Sequence, residues 1–267
     1  EIGVRLVGSE MCIRDSPYTV WLATVVVSGI SYLSYLLKRY VFRESGTLVS
    51  GIIGGLYSST ATISVLARKS RKTSDEEATE YVAAMLLAVS MMFLRFMILI
   101  LIFSREIFFA IYPYLLTMAV ITVLAAWFVH SRRKRPSGRP VEEEEDDSSN
   151  PLEFKVALIF AVLFVVFTIL THYTLVYAGT GGLNLLSFVS GFSDITPFIL
   201  NLLQNTSHVA ASVVTACSMQ AIISNILVNM CYALFFSGRQ SRLRPWILGG
   251  FGAVIACNFL LLLVFYL

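Results

Sequence analysis

GGLYSSTATISVLA, Gly54 to Ala67, and SGFSDITPFILNLL, Ser190 to Leu203, are apolar segments interrupted by glycine and small polar residues. They occupy matching places in the two halves of a chain of 267 residues. An offset of 136 residues lays Gly55 on Gly191, Ser58 on Asp194, Thr60 on Thr196, Ile63 on Ile199 and Leu66 on Leu202. Interrupted hydrophobic segments in corresponding positions of two halves point to the binding site of a transporter-type membrane fold. The rest of the chain reads as ordinary membrane helix.

Composition supports that reading. The chain is 57% hydrophobic and 14% charged, where a soluble domain carries about 25% charged residues. Its mean hydropathy is +0.75. Apolar runs recur at Tyr18–Leu37, Thr47–Ala67, Tyr81–Phe103 and Ile107–Val129, and again at Phe154–Ala178, Gly182–Gln204, His208–Phe236 and Pro245–Leu267. Most approach the ~20 residues needed to cross ~30 Å of hydrocarbon. The expected class is an all-α polytopic membrane protein, since the alternation of a transmembrane barrel is absent. The net charge of +3 sits in short loops beside apolar helices. There it reports orientation and implies no nucleic-acid partner.

Cys217, Cys231 and Cys257 fall inside apolar runs without CxxC or Cys/His spacing. They read as small hydrophobes, with no disulfide framework or zinc site implied. No nucleotide loop, HExxH or GxSxG motif occurs. An intramembrane hydrolase using Ser58 or Ser59 would need a buried histidine that neither half supplies, so no enzyme and no cofactor are expected, and no metal is assigned.

Residues 6–16 read LVGSEMCIRDS, which agrees with one reading frame of a transposase adapter used in sequencing libraries. Residues 1–16 are therefore expected to be translated adapter, not native protein. The membrane domain is expected over 17–267, as repeat one at 18–130, a charged linker at 131–153 and repeat two at 154–267. The linker, beginning SRRKRPSGRPVEEEEDD at Ser131, has the composition of a solvated disordered segment.

Charge sets the expected topology. If all eight segments cross, Lys and Arg total 7 in the odd-numbered connections and 10 in the even ones, almost no bias against the positive-inside rule. If the two interrupted segments enter and leave on one side, 16 fall on one face and only Arg105 on the other. This predicts six full spans plus two re-entrant or broken helices, with the repeats inverted across the membrane. Eight full spans is the alternative.

Asp194 is the sharpest site candidate. An ionisable group at membrane depth faces a cavity or a partner, so it reads as a cation ligand or proton carrier, or as the N-cap of a half-helix starting at Ile195. Ser193 and Thr196 flank it. Ser58, Ser59, Thr60 and Thr62 form the matching patch, suited to cations or desolvated polar solutes, or to close helix packing. Arg95 lies mid-way through MMFLRFMILILIF. It reads as a partner for Asp194, an anion ligand, or a clamp on broken-helix carbonyls. Asn225 and Asn229, four apart, share a helix face near Ser224 and Gln220 and line the site or lock helices. Ser90, Asn201 and Asn258 are weaker candidates, and His172 and His208 are expected near segment ends.

Several motifs carry a resemblance: GIIGGLYSSTATISVLARKSRK (Gly51 to Lys72), MMFLR (Met91 to Arg95), NPLEF (Asn150 to Phe154), SGFSD, SNILVN (Ser224 to Asn229) and GRQSRLRPW. In this order they resemble the C-terminal membrane domain, DUF4010, of MgtC/SapB-like bacterial membrane proteins. The resemblance implies a multi-pass protein of the bacterial inner membrane. It also implies a partner, the N-terminal MgtC-like domain missing from this sequence, with a link to magnesium homeostasis through that domain. It supplies no activity. The family usually has a second acidic residue where Thr196-Pro197 stands, and a lysine where Asn229 stands. If those charges carry transport, coupling differs here.

The resulting expectation is a core that moves a small solute or ion, embedded in the lipid bilayer, with a midplane site at the two interrupted segments. The alternative is a non-transporting membrane regulator or assembly partner linked to MgtC-type magnesium homeostasis. On that view the re-entrant segments serve packing, and Arg95 and Asp194 are a structural pair.

Overall fold

The computed structural model describes residues 16–37, 40, 46–71, 75–132, 154–204, 210–238 and 243–266. Residues 1–15 of the adapter-like leader, almost all of the charged linker, and His208 lie outside the described residues. The described residues form eight α-helices and no strand. We number them α1 (Ser16–Leu36), α2 (Thr47–Ser70), α3 (Asp75–Phe103), α4 (Arg105–Ser131), α5 (Phe154–Ser190), α6 (Ile195–Gln204), α7 (Ala211–Phe236) and α8 (Leu243–Tyr266).

Six of these contain stretches long and apolar enough to cross a membrane, in α2, α3, α4, α5, α7 and α8. The chain is an all-α, multi-pass integral membrane protein. α1 carries a shorter apolar stretch, Trp21–Leu36, among the described residues.

Two of the helices are not continuous. Ser58 in α2 adopts φ −159 and ψ 112, an extended conformation inside a helix. A Cβ on Gly54 would lie 2.6 Å from the hydroxyl of Thr62. In an unbroken helix those positions stand about 12 Å apart along the axis. The arm 59–70 therefore folds back beside the arm 47–57. The neighbouring helix gives the same answer. A Cβ on Gly51 would meet the Ala84 carbonyl, and one on Gly55 would meet the Ala88 backbone. The first arm thus runs parallel to α3. Only residues 71–74 join the second arm to α3, so a chain reversal must fall between the arms.

Helix α5 breaks at Gly179, whose φ of 59 is open to glycine at little cost. A Cβ on Gly182 would meet Thr174 Cγ2 at 2.8 Å, again two positions far apart in a straight helix. The chain turns back at Gly179, runs as 180–190, breaks at 191–194 and continues as α6. The arm 180–190 runs parallel to α7, with Asn184 at Cys217, Phe188 at Ser224 and Gly191 at Ser224 and Asn225.

The offset of 136 residues now describes the fold. It carries the arm starting at 59 onto α6 starting at 195, and α3 starting at 75 onto α7 starting at 211. The close contact of Gly55 with Ala88 maps onto that of Gly191 with Ser224. Packing follows the same rule. α3 and α7 are innermost, each against both repeats' broken elements, while α4 meets α8 and α1 meets α5. At the α4–α8 seam the buried Tyr114 hydroxyl donates to Asn258 Oδ1.

The ends of α2 and α7 lie together. Arg68 stacks 4.4 Å over the Phe236 ring, and Gly238 closes against the Arg71 guanidinium. Eight straight crossings in sequence would put these two helix ends at opposite ends of the bundle. The folded-back α2 brings them to one end.

Candidate functional site

A helix that stops inside an apolar bundle leaves carbonyls at one end and amides at the other without intrahelical partners. Both breaks expose such groups, and the side chains that answer them define the site.

At the first break the arm 47–57 ends on Tyr57. Its carbonyl accepts from Arg95 Nη1 at 2.9 Å. Arg95 stands about two turns beyond Ala88 on α3, and helical side chains lean toward the helix N-terminus. The guanidinium is thereby drawn back to the tip of α2, near the middle of the apolar stretch Thr79–Phe103. The next arm is capped by the residue that forms the break, as Ser58 Oγ accepts from the Ala61 amide at 3.3 Å.

At the second break Asp194 is the cap, its Oδ1 accepting from the Thr196 amide at 2.9 Å. Pro197 falls in the first turn, where its missing N–H costs nothing. The freed carbonyls are met from α7. Ser224 Oγ donates to Phe188 O at 2.7 Å, and Asn225 Nδ2 donates to Gly191 O at 3.2 Å. Asn229 Nδ2 donates in turn to Asn225 Oδ1 at 3.1 Å. Asn229 Oδ1 is left buried without a partner among the described residues.

One contact joins the breaks. Arg95 Nη2 donates to Thr196 Oγ1 at 2.6 Å, so a single guanidinium touches the tip of α2 and the first turn of α6. Among the described residues Arg95 has no ion-pair partner. Of the readings the sequence leaves open for Arg95, the contacts made are the clamp on a broken-helix carbonyl and a bridge to Thr196, with no pair to Asp194. Asp194 and Ser193 are exposed, Arg95 is half-buried and Thr196 is buried.

The sequence-derived candidates sort accordingly. Ser58, Arg95, Asp194 and Thr196 converge with the Tyr57 carbonyl. Ser59 and Thr60 follow Ser58 at the head of the second arm. Their hydroxyls, and that of Thr62, have no hydrogen-bond partner among the described residues. Thr62 lies against Gly54 in the fold-back. Ser193 bonds back to the Ser190 carbonyl. Asn225 and Asn229 serve the second break. Asn201 holds α6 to α5 through Thr168 Oγ1, at 2.7 Å, and Ser90 bonds within α3. Tyr57 was missed because its role is played by a backbone carbonyl. Its position just before the break is the signal that could have found it. No three His, Cys, Asp or Glu side chains gather among the described residues.

The family described as a domain of unknown function, DUF4010, matches residues 25–237. An uncharacterized protein of Aquifex aeolicus (strain VF5) is 25% identical over 207 residues, covering 76% of this chain and 87% of that protein. No solved structure matches.

Proposed function

The chain belongs to the DUF4010 family, and from that premise we propose that it is the core of a transporter for a small solute or ion. The observation that carries this reading is the meeting of two folded-back tips on one guanidinium mid-way along α3. Broken backbone at membrane depth is tolerated where it is buried in protein or lines a watery cavity. In transporters built from inverted repeats, such tips hold the substrate. The two folded-back elements then re-enter the bilayer instead of crossing it. α1, residues 154–178 of α5, α3, α4, α7 and α8 cross, and the repeats are inverted. The 16-to-1 division of basic residues between the two faces supports this sidedness.

The site consists of Ser58, Ser59, Thr60, Arg95, Asp194 and Thr196, with Asn225 supporting the second tip. The protein works without covalent chemistry, in a bacterial inner membrane and beside an MgtC-like domain. Support for the last two statements is the sequence resemblance alone.

Sidedness is tested with single cysteines at exposed positions in a chain whose own cysteines are replaced. Arg105→Cys and Ala210→Cys should react with an impermeant thiol reagent from one side, and Arg132→Cys from the other. With eight full spans, positions 105 and 210 lie on opposite sides, and that outcome rejects the re-entrant, inverted arrangement. A non-transporting regulator is favoured if the labels agree with inversion yet proteoliposomes of the wild type are no more permeable than protein-free liposomes to a panel of ions and small solutes.

A further inference from the structure

Resting on the transporter reading, we propose that the site at the two tips takes a small oxyanion of a single negative charge, such as a monocarboxylate. Arg95 uses two of its five N–H donors on protein, one on the Tyr57 carbonyl and one on the Thr196 hydroxyl. Neither acceptor is charged. Asp194, the acidic residue beside the tips, is engaged by the Thr196 amide. It makes no ion pair with Arg95 among the described residues.

Each helix N-terminus contributes about half a positive charge. The arm 59–70 and α6 both start here, the first capped by neutral Ser58 and the second by Asp194. The arms 47–57 and 180–190 end at the same tips with partial charge of the opposite sign, so the helix ends offset one another, and the Arg95 guanidinium is the full positive charge that touches both tips. With neutral acceptors alone and no carboxylate partner among the described residues, that single charge is open to a monovalent anion.

The donor set fits the same class. Guanidinium N–H groups form a planar fork that matches two oxygens of a carboxylate. Ser59 and Thr60 stand two and three residues beyond Tyr57, with hydroxyls unpartnered among the described residues. Ser59 is 8% exposed as a residue, and its unpartnered hydroxyl keeps some contact with solvent. These are the unpartnered hydroxyls nearest in sequence to the carbonyl that Arg95 holds.

The test is binding to the full chain purified in detergent, read as the thermal unfolding midpoint. The probes are sodium lactate and sodium nitrate, against the neutral lactamide and the cation tetramethylammonium, at constant chloride. The expected result is a saturable rise of several degrees with lactate and nitrate, and none with lactamide or tetramethylammonium. Arg95→Gln should abolish the rise, and Arg95→Lys, which keeps the charge and loses the fork, should weaken lactate binding about tenfold. If neither variant folds, the four probes on wild type still decide. No anion effect, an equal effect of lactamide, or a full effect in Arg95→Gln overturns the proposal.

Proteoliposome uptake separates this failure from failure of the transporter reading. Anion binding without any solute flux leaves the site standing and removes transport. Asp194-dependent flux of a cation or neutral solute, with no anion binding, leaves transport standing and removes the anion.

Discussion

The two broken elements share one architecture and differ in chemistry. At the first, the break is a single residue, the cap is a neutral serine, and the freed carbonyl is met by a charged side chain. At the second, the break covers 191–194, the cap is a carboxylate, and the freed carbonyls are met by neutral Ser224 and Asn225. The offset that superposes the helices puts Ala88 on Ser224, Val89 on Asn225 and Arg95 on Cys231. Each repeat keeps what the fold requires, a glycine closing on the neighbouring helix and a cap at the break. The ionisable groups are divided, a cation from the first repeat and an anion from the second. A symmetric scaffold thus holds one asymmetric site.

The glycine contacts should carry the largest effects. A Cβ on Gly55 would stand 2.5 Å from Ala88 Cα and 2.7 Å from the Ala88 carbonyl oxygen, which is backbone against backbone. A Cβ on Gly191 would meet Ser224 Cβ and Oγ at 2.4 Å, with the Asn225 amide next at 2.8 Å. Overpacking costs about 1–3 kcal/mol and more where nothing can move. Gly55→Ala should lie at or beyond the top of that range and Gly191→Ala within it. The comparison sharpens with a second change. Ser224→Gly should restore part of the thermal midpoint of Gly191→Ala, since it relieves the side-chain contact but also removes the hydroxyl on the Phe188 carbonyl, whereas no side-chain substitution on α3 should restore Gly55→Ala. Equal rescue at both sites would show that the two contacts are not of different kinds.

The clamps come next. Asn225→Leu leaves the Gly191 carbonyl short of a partner, a loss of about 1–3 kcal/mol. Arg95→Met also strands a carbonyl, that of Tyr57, but it removes a charge whose placement at membrane depth costs about 2.5–3.5 kcal/mol. The two terms oppose each other. Arg95→Met should therefore be milder than Asn225→Leu in the unfolding midpoint while abolishing solute flux. An Arg95→Met loss exceeding that of Asn225→Leu would mean the guanidinium is mainly a brace.

Much of this was legible in the sequence. Helix content, both breaks and the repeat offset follow from hydrophobic runs and glycine placement, which are local signals. So does Asp194 as a cap, because a cap is decided within its own turn. What is set by elements packing on each other was not legible. Arg95 and Thr196 are joined across 101 residues, and pattern alone left Arg95 open between Asp194, an anion and a carbonyl. Thr62 reads as site-lining until the fold-back seats it on Gly54. Asn225 and Asn229 were placed on one face, but nothing in their spacing says that the first bonds the Gly191 carbonyl. Gly179 sits in an AGTGG stretch where several residues offer a turn, and the one with positive φ is chosen by the helices on either side.

The caps should show the smallest effects on folding, and for that reason they are the best probes of function. Ser58 accepts through a 3.3 Å bond and Asp194 through a 2.9 Å bond that is also charged. Losing an N-cap costs about 0.5–2 kcal/mol. Ser58→Ala should fall at the low end and Asp194→Ala near 1 kcal/mol, with the difference shrinking in high salt because part of it is the carboxylate's attraction to the α6 N-terminus. Asp194→Asn keeps an acceptor of the same shape and should stay within a few tenths of a kcal/mol of wild type. The charge is then the only thing that this variant removes. If Asp194 is a cap alone, flux through the Asn variant equals that of wild type. If its charge takes part in coupling or in setting the field opposite Arg95, flux is lost from a protein whose unfolding midpoint has not moved.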